Sequence, residues 1–289
     1  MNKDTENLLS RVETLSSKIR RLGQNAMKSE QRQQADYAGE CLGALAVMIT
    51  EEKPIFHSEP WHRLADDLAL SDAGEMLLRL KSPEGRPLPP YPAIMTFYGN
   101  GLAEELDTIL CLCALDQFRR QNIERQVSVN ISSRTLQNRD FVETILAKLE
   151  AVKLSPDEKI ILEIHESNAA LAIDESVIDR FRAFDVKFAI DDVGVSANDV
   201  FRFSACANMA DFIKLDRAIL NAHSRSASLK QALSLIRKAL PGVAMVAEGV
   251  KNAEHAREAL TLCPELQYVQ GMHLPDRETF RQQWKGLGR

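Results

Sequence analysis

Two adjacent aspartates, Asp191 and Asp192, end an apolar run and precede Gly194 in the segment "KFAIDDVGVSAND". Neighbouring carboxylates raise each other's pKa values, so a buried pair of this kind requires positive charge nearby. Other polar side chains lie at or near the carboxyl ends of apolar runs: Asn130, Glu163, Lys214, Glu248 and Gln270. Oxygen ligands without His or Cys are the set that Mg²⁺ or Mn²⁺ prefers. The pattern therefore predicts two divalent cations, with Asp191 as the ligand that they share.

The elements that would position these side chains are short apolar runs that alternate with longer helical patterns from Pro54 onward. Strands are predicted at 75–80, 127–132, 160–165, 186–191, 211–216, 243–249 and 266–271. A further strand within 44–56 would bring the number to eight. Eight such units in roughly 240 residues predict an α/β fold, a TIM-type (β/α)8 barrel, whose active site forms where the carboxyl ends of the strands meet. Glu75 opens its run, so either its strand is reversed or the boundary is misread.

The first 50 residues contain no proline and have a helical pattern. An a/d-like spacing joins the apolar residues of the first helix: Leu8, Val12, Leu15, Ile19 and Leu22. A second helical stretch follows from about residue 31 to residue 48. The first helix is either a short coiled coil or an amphipathic helix packed on the domain behind it. We expect a helical segment at 1–50, which is a candidate site for a protein partner or a homodimer, and a barrel domain at 51–289.

Composition and charge exclude several classes of protein. The net charge of −5 does not favour a nucleic-acid polymer as partner. No apolar run is long enough to span a membrane, and the start "MNKDTENLLS" is too polar for a signal peptide. The five cysteines have no paired metal-type spacing, which is typical of reduced thiols in a cytoplasmic protein.

The motifs from about residue 50 to residue 275 resemble those of the EAL domain family, bacterial phosphodiesterases that linearise cyclic di-GMP. The family's name motif corresponds to "EML" (Glu75, Met76, Leu77), which is followed by Arg79. The other corresponding segments are "VNIS", "LEIHES", "AIDDVG", "IKLD", "VAEGV" and "VQG". The resemblance implies a barrel with one antiparallel strand, which would accommodate the position of Glu75. It also implies hydrolysis of cyclic di-GMP to linear pGpG, and a homodimer through the barrel.

The resemblance also implies a role for each matching residue. The first metal would be held by Glu75, Asn130, Glu163 and Asp191. The second would be held by Asp191, Asp192 and Glu248. Lys214 would orient or deprotonate the attacking water, and Gln270 would hydrogen-bond water on the metal. Arg79 and Leu77 would bind the substrate, Arg79 through a phosphate, and Glu166 would brace the loop after Asp192. The catalytic set is therefore Lys214, Glu248, Gln270 and Glu166.

The sequence departs from the family pattern after the aspartate pair, where Val193, Val195 and Ser196 replace the usual phenylalanine, hydroxyl residue and second glycine. Lys53 of "KPI" stands where the family has a glutamine before its first strand. We therefore expect slow turnover with a marked need for metal. Two alternatives stay open: a catalytically weak or inactive receptor or interaction module, and an unrelated Mg²⁺ barrel enzyme of the enolase kind.

Overall fold

The computed structural model describes residues 3–64, 72–121, 125–165, 173–193, 209–218, 238 and 240–287. The helices are α1 (Lys3–Asn25), α2 (Ser29–Thr50), α3 (Pro90–Gly99), α4 (Ala103–Gln121), α5 (Arg139–Val152), α6 (Glu175–Arg182), α7 (Ala253–Leu262) and α8 (Arg277–Gly286). The strands are β1 (Phe56–Arg63), β2 (Ala73–Leu78), β3 (Leu80–Lys81), β4 (Pro87–Leu88), β5 (Gln126–Ser132), β6 (Lys159–His165), β7 (Lys187–Val193), β8 (Phe212–Leu215), β9 (Ala244–Ala247) and β10 (Tyr268–Val269).

Eight of these strands close into a barrel in the order β1-β10-β9-β8-β7-β6-β5-β2. Parallel pairing joins β2 to β5, each strand from β5 to β9 to the next one, and β9 to β10. β1 is antiparallel to β10, with His62 opposite Val269. The predicted TIM-type barrel with one antiparallel strand is confirmed. β3 and β4 form a separate two-stranded hairpin.

Two details of the predicted strands are wrong. The reversed strand is β1, whereas β2, which carries Glu75, is parallel to β5 and begins at Ala73. The boundary of the Glu75 strand was therefore misread, because the small residues Ala73 and Gly74 gave no apolar signal. The strand expected within 44–56 is also wrong, since residues up to Thr50 belong to α2 and the strand occupies Phe56–Arg63.

The chain forms two compact units that interleave in sequence. One unit comprises Met1–His57, Met76–Ile123 and Arg134–Lys153, and it contains α1–α5. The other comprises Ser58–Glu75, Glu124–Ser133 and Leu154–Arg289, and it contains most of the barrel strands together with α6–α8. The division at residue 50 that the sequence suggests stays a prediction.

In the first unit, α1 packs against α2 and α4. Its buried stripe follows the expected positions from Leu8 to Ile19 but ends at Gly23, while Leu22 is 37% exposed. A straight helix of 3.6 residues per turn drifts away from a strict seven-residue repeat, which moves the last contact by one position. A Cβ at Gly23 would lie 3.1 Å from that of Ala35, so glycine lets the two helices approach closely.

The core of the barrel is a layer of inward-facing side chains: Trp61, Ala73, Ile161, Ala189, Phe212, Val246 and Tyr268. The ring of Trp61 meets Phe212 and Tyr268 edge-on, with centroids 5.3 and 5.8 Å away. One residue of the layer comes from each of seven barrel strands. This layer closes the barrel interior below the rim, so any site must be built above it.

Within the described part of the chain, no helix combines the length and apolar composition needed to cross a bilayer. The described cysteines, Cys41, Cys111, Cys113 and Cys263, are buried free thiols.

Candidate functional site

The candidate site is the layer of side chains directly above the barrel core. Inward-facing residues recur every second position along a strand. Two places after the core residue on six of the seven parallel strands come Glu75, Glu163, Asp191, Lys214, Glu248 and Gln270. Asn130 of β5 is directly opposite Glu163. The structure thus gathers the strand-end residues that the sequence singled out, and all of them belong to the second unit.

Lys214 is the centre of this layer and is 1% exposed. Its Nζ lies 3.0 Å from Glu75 Oε2 and 2.7 Å from Glu248 Oε1. It also donates a hydrogen bond to Glu163 Oε1 and lies 3.6 Å from Asp191 Oδ1. One ammonium therefore faces four carboxyl groups, so the acidic groups of the layer outnumber its cation.

Burial first, and then the neighbouring charges, shift the pKa values of the layer. Burial and the neighbouring Glu75 raise the pKa of Glu163 well above its ordinary value, despite the opposing effect of Lys214. Burial, with Asp191 adding to it, raises the pKa of Glu248 to about 8. Burial alone would lower the pKa of Lys214, but the carboxylates around it, with Glu163 first, raise it well above its usual range. Lys214 is therefore protonated at neutral pH, and it is a single cation among four carboxyl groups.

Two amides link the carboxyl groups of the layer. Asn130 Nδ2 donates to Glu75 Oε1 at 2.6 Å. Gln270 Nε2 donates to Glu75 Oε2 at 2.6 Å and lies 3.2 Å from Glu59 Oε1 on β1. Sequence reasoning missed Glu59 because it looked for polar residues at the carboxyl ends of strands. β1 is antiparallel, so its amino-terminal part is the part that reaches this rim.

A β-bulge in β7 brings Asp191 and Asp192 to the same side of the strand. Ile190 pairs with Ile213 and Val193 pairs with Leu215. Between these two pairs, β7 has one residue more than β8. Asp192 has the left-handed backbone conformation, with φ +54°. Adjacent residues of a regular strand point to opposite faces, whereas a bulge re-aims a side chain. This is why two neighbouring aspartates can both face Glu248.

We expect the left-handed backbone of Asp192 to separate two otherwise similar variants. Asp192→Asn should be more stable than Asp192→Ala by about 1 kcal/mol, because asparagine tolerates φ > 0 better than alanine does. Both variants remove the charge, but asparagine keeps an oxygen that can ligate a cation, so Asp192→Asn should lose less Mn²⁺-dependent stabilisation than Asp192→Ala. Urea unfolding in chelator and in Mn²⁺ measures both effects. Equal stability of the two variants in chelator would contradict a backbone cost at this position.

Two glycines of the motifs lie where a larger side chain would collide with the backbone or with a neighbouring side chain. A Cβ at Gly271, next to Gln270, would lie 1.9 Å from the carbonyl oxygen of Val250. Gly249, next to Glu248, has φ +65°, and a Cβ there would meet the Cβ of Arg217 at 2.5 Å. Only glycine allows these close approaches, so both residues fix the strand ends that carry site side chains.

The donor set fits divalent cations. Glu75, Glu163 and Glu248 each offer a carboxylate oxygen within 4.8 Å of the others, and so do Asp191, Asp192 and Glu248. Glu248 is common to both groups, and Asp191 belongs to the second. Glu163 Oε2 and Gln270 Oε1 are buried and have no hydrogen-bond partner among the described residues. Buried oxygens of this kind, in a layer where carboxyl groups outnumber the one ammonium, are suited to hard cations such as Mg²⁺ or Mn²⁺.

Other predicted site residues lie elsewhere or outside the described residues. Arg79 follows β2, is exposed, and donates a hydrogen bond to the carbonyl of Leu78. Leu77 is partly buried in β2. Val193 is 1% exposed. Glu166 and the loop positions Val195 and Ser196 lie outside the described residues.

Comparison with known proteins identifies relatives of this chain. The model of the EAL domain matches residues 67–275. The signaling protein YkoW of Bacillus subtilis (strain 168) is 26% identical over 191 residues, which cover 62% of this chain and 23% of that protein. The chain thus matches about a quarter of the length of this curated relative.

Solved structures share the fold. The FimX EAL domain from Pseudomonas aeruginosa, bound to c-di-GMP, has a TM-score of 0.65 at 21% identity, with 81% of this chain and 94% of that chain covered. Klebsiella pneumoniae BlrP1, in a complex with manganese and cyclic di-GMP, has a TM-score of 0.58 at 19% identity, with 75% and 54% covered.

Proposed function

The chain belongs to the EAL domain family, and from this premise we propose that it is a divalent-metal-dependent phosphodiesterase that hydrolyses cyclic di-GMP to linear pGpG. The family acts in cyclic di-GMP signalling, and the structure of the FimX relative contains that nucleotide. The observation that carries the proposal is the layer of carboxylates around Lys214 above the barrel core.

The residues that would hold the metal are the oxygen donors of this layer. Glu75, Asn130, Glu163 and Asp191 would bind one ion, and Asp191, Asp192 and Glu248 a second. Such ions, when bound, lower the pKa of water and stabilise charge on a phosphodiester. The manganese in the structure of the BlrP1 relative is in accord with this choice of metal.

The other roles belong to donors and acceptors of the chain itself. The raised pKa of Lys214 keeps its ammonium protonated, which favours orienting the attacking water over deprotonating it. Gln270 donates both its N–H groups to carboxylates, so its buried Oε1 is the atom left to accept a hydrogen bond from water. Arg79 and Leu77 would contact the nucleotide, and Glu166 would brace the loop after the aspartates.

The direct test is incubation of the purified full chain with cyclic di-GMP at increasing Mg²⁺ or Mn²⁺, with the products separated by chromatography. We expect pGpG to form slowly, to require high metal because of the altered loop after Asp192, and to disappear in chelator. Binding of the nucleotide without cleavage at every metal concentration would contradict the proposal and assign the receptor alternative. Neither binding nor cleavage would contradict both.

A further inference from the structure

We propose that Glu59 is a positioning residue, which fixes the orientation of the Gln270 amide and so decides which atom of that amide is presented to the site. The expected effect on turnover rests on the proposed function. The orientation of the Gln270 amide does not depend on that function.

The direction of β1 places Glu59 in the site layer. The other site residues lie two positions after a core residue on a parallel strand. Because β1 is antiparallel to β10, the corresponding position on β1 lies two residues before its core residue, Trp61. That position is Glu59. Its side chain faces the same way as that of Trp61, since side-chain direction repeats every second residue.

The contacts of Gln270 then define one orientation of its amide. Gln270 is 3% exposed, so water does not compete strongly for its polar atoms. Nε2 lies 2.6 Å from Glu75 Oε2 and 3.2 Å from Glu59 Oε1, which gives each of its two N–H groups a carboxyl acceptor. A flipped amide would place Oε1 against both carboxyl groups, where two acceptors would face each other.

The consequence is that Gln270 offers an acceptor, and not a donor, to a ligand in the site. Oε1 is buried and has no hydrogen-bond partner among the described residues. If Glu59 is removed, one N–H group loses its acceptor, and the amide can rotate towards the remaining carboxylates. The carboxyl groups of Glu75 and Glu59 therefore act together on one atom, Gln270 Nε2.

The orientation can be measured without activity. In full-length protein labelled with [side-chain-¹⁵N]Gln, the Gln270 amide signal is assigned by its loss in Gln270→Ala. We expect both amide protons to exchange slowly with solvent in the wild type, and one of them at least about tenfold faster in Glu59→Leu, because a buried hydrogen bond limits exchange. Glu59→Gln keeps an acceptor oxygen and should retain most of the protection. Glu254→Leu, an exposed glutamate on α7, is the matched control and should change neither proton. Unchanged exchange in Glu59→Leu would overturn the proposal.

A kinetic cycle tests the consequence for turnover. Glu59→Leu should lower kcat by about 10–100-fold with little change in KM, the cost typical of a lost orienting partner at a metal site. Glu59→Gln should recover most of that loss. In the Gln270→Ala background, Glu59→Leu should have no further effect, because a positioning residue acts only through its partner. Additive losses would overturn the proposal. A wild type without turnover would contradict the phosphodiesterase function instead, and the amide measurement would then decide this inference.

Discussion

Glu75→Gln is expected to lower kcat for cyclic di-GMP hydrolysis by roughly 10²–10³-fold, the cost of removing one preorganised charged group from an active site. Glu75 accepts hydrogen bonds from three donors of the layer. One of its oxygens accepts from Asn130, and the other accepts from Lys214 and Gln270. Glutamine has nearly the same shape but only one acceptor oxygen, so at least one of these donors must lose its partner, together with a ligand charge. Steady-state kinetics over a Mn²⁺ titration measures the effect.

Two controls distinguish a loss of catalysis in Glu75→Gln from a loss of folding. Glu254→Gln on α7 is the matched control, since that carboxyl group is exposed and should leave kcat unchanged. Thermal unfolding of both variants checks that each is folded at the assay temperature. High Mn²⁺ should not restore the Glu75→Gln rate, because the amide that replaces the carboxylate carries no ligand charge. Full turnover in Glu75→Gln would contradict the assignment of the first metal site.

Much of the barrel could be predicted from the sequence because its parallel strands carry a strong local signal. The runs around Ile161, Ala189 and Phe212 are apolar, and each is followed at the second position by a polar residue. A single polar residue at the end of a buried run is common, but its repetition along the chain indicates a shared rim. The helix α7, "AEHAREALTL", has a local signal of its own, since Asn252 caps it by accepting from the His255 N–H.

The parts that could not be predicted depend on long-range geometry. β1 has exposed and half-buried residues among its buried ones, so it lacks the continuous apolar run of its neighbours. Its direction follows from pairing with β10, more than 200 residues away, and only that direction places Glu59 at the rim. The bulge at Asp192 is likewise set by the pairing of β7 with β8, because the sequence gives no sign that one strand carries an extra residue.

The charges of the site layer also explain why one residue matters for both folding and chemistry. Glu163 is fully buried, and Glu75 and Asp191 are nearly so. Buried carboxyl groups whose oxygens lie within 4.8 Å of one another, such as those of Glu75 and Glu163, repel one another when ionised in a medium of low effective dielectric constant. Among the described residues of the layer, Lys214 supplies the ammonium group that offsets this repulsion. The same nitrogen is the proposed donor to the attacking water.

Lys214→Met should therefore reduce both stability and rate. In chelator, we expect a loss of roughly 3–5 kcal/mol in the free energy of unfolding, the usual result of removing one partner from a buried ion pair. Saturating Mn²⁺ should restore much of this stability, because bound cations supply the missing positive charge and stabilise the folded state by mass action. The rate should stay lower by roughly 10²–10⁴-fold even at saturating metal, since the donor to water is lost.

The matched control for this variant lies at the other end of the same barrel. Lys187 begins β7, where its Nζ lies 3.4 Å from Gln126 Oε1 and 5.3 Å from the centre of the Phe212 ring. It is a half-buried lysine that faces no carboxylate layer, so any stability lost in Lys187→Met should not return with Mn²⁺. Urea unfolding of both variants with and without Mn²⁺ makes the comparison. If Mn²⁺ restores Lys187→Met as well as it restores Lys214→Met, the ion acts away from the layer, and the metal site proposed here is wrong. If it restores only Lys214→Met, the carboxylates around that lysine are the ones that bind the metal.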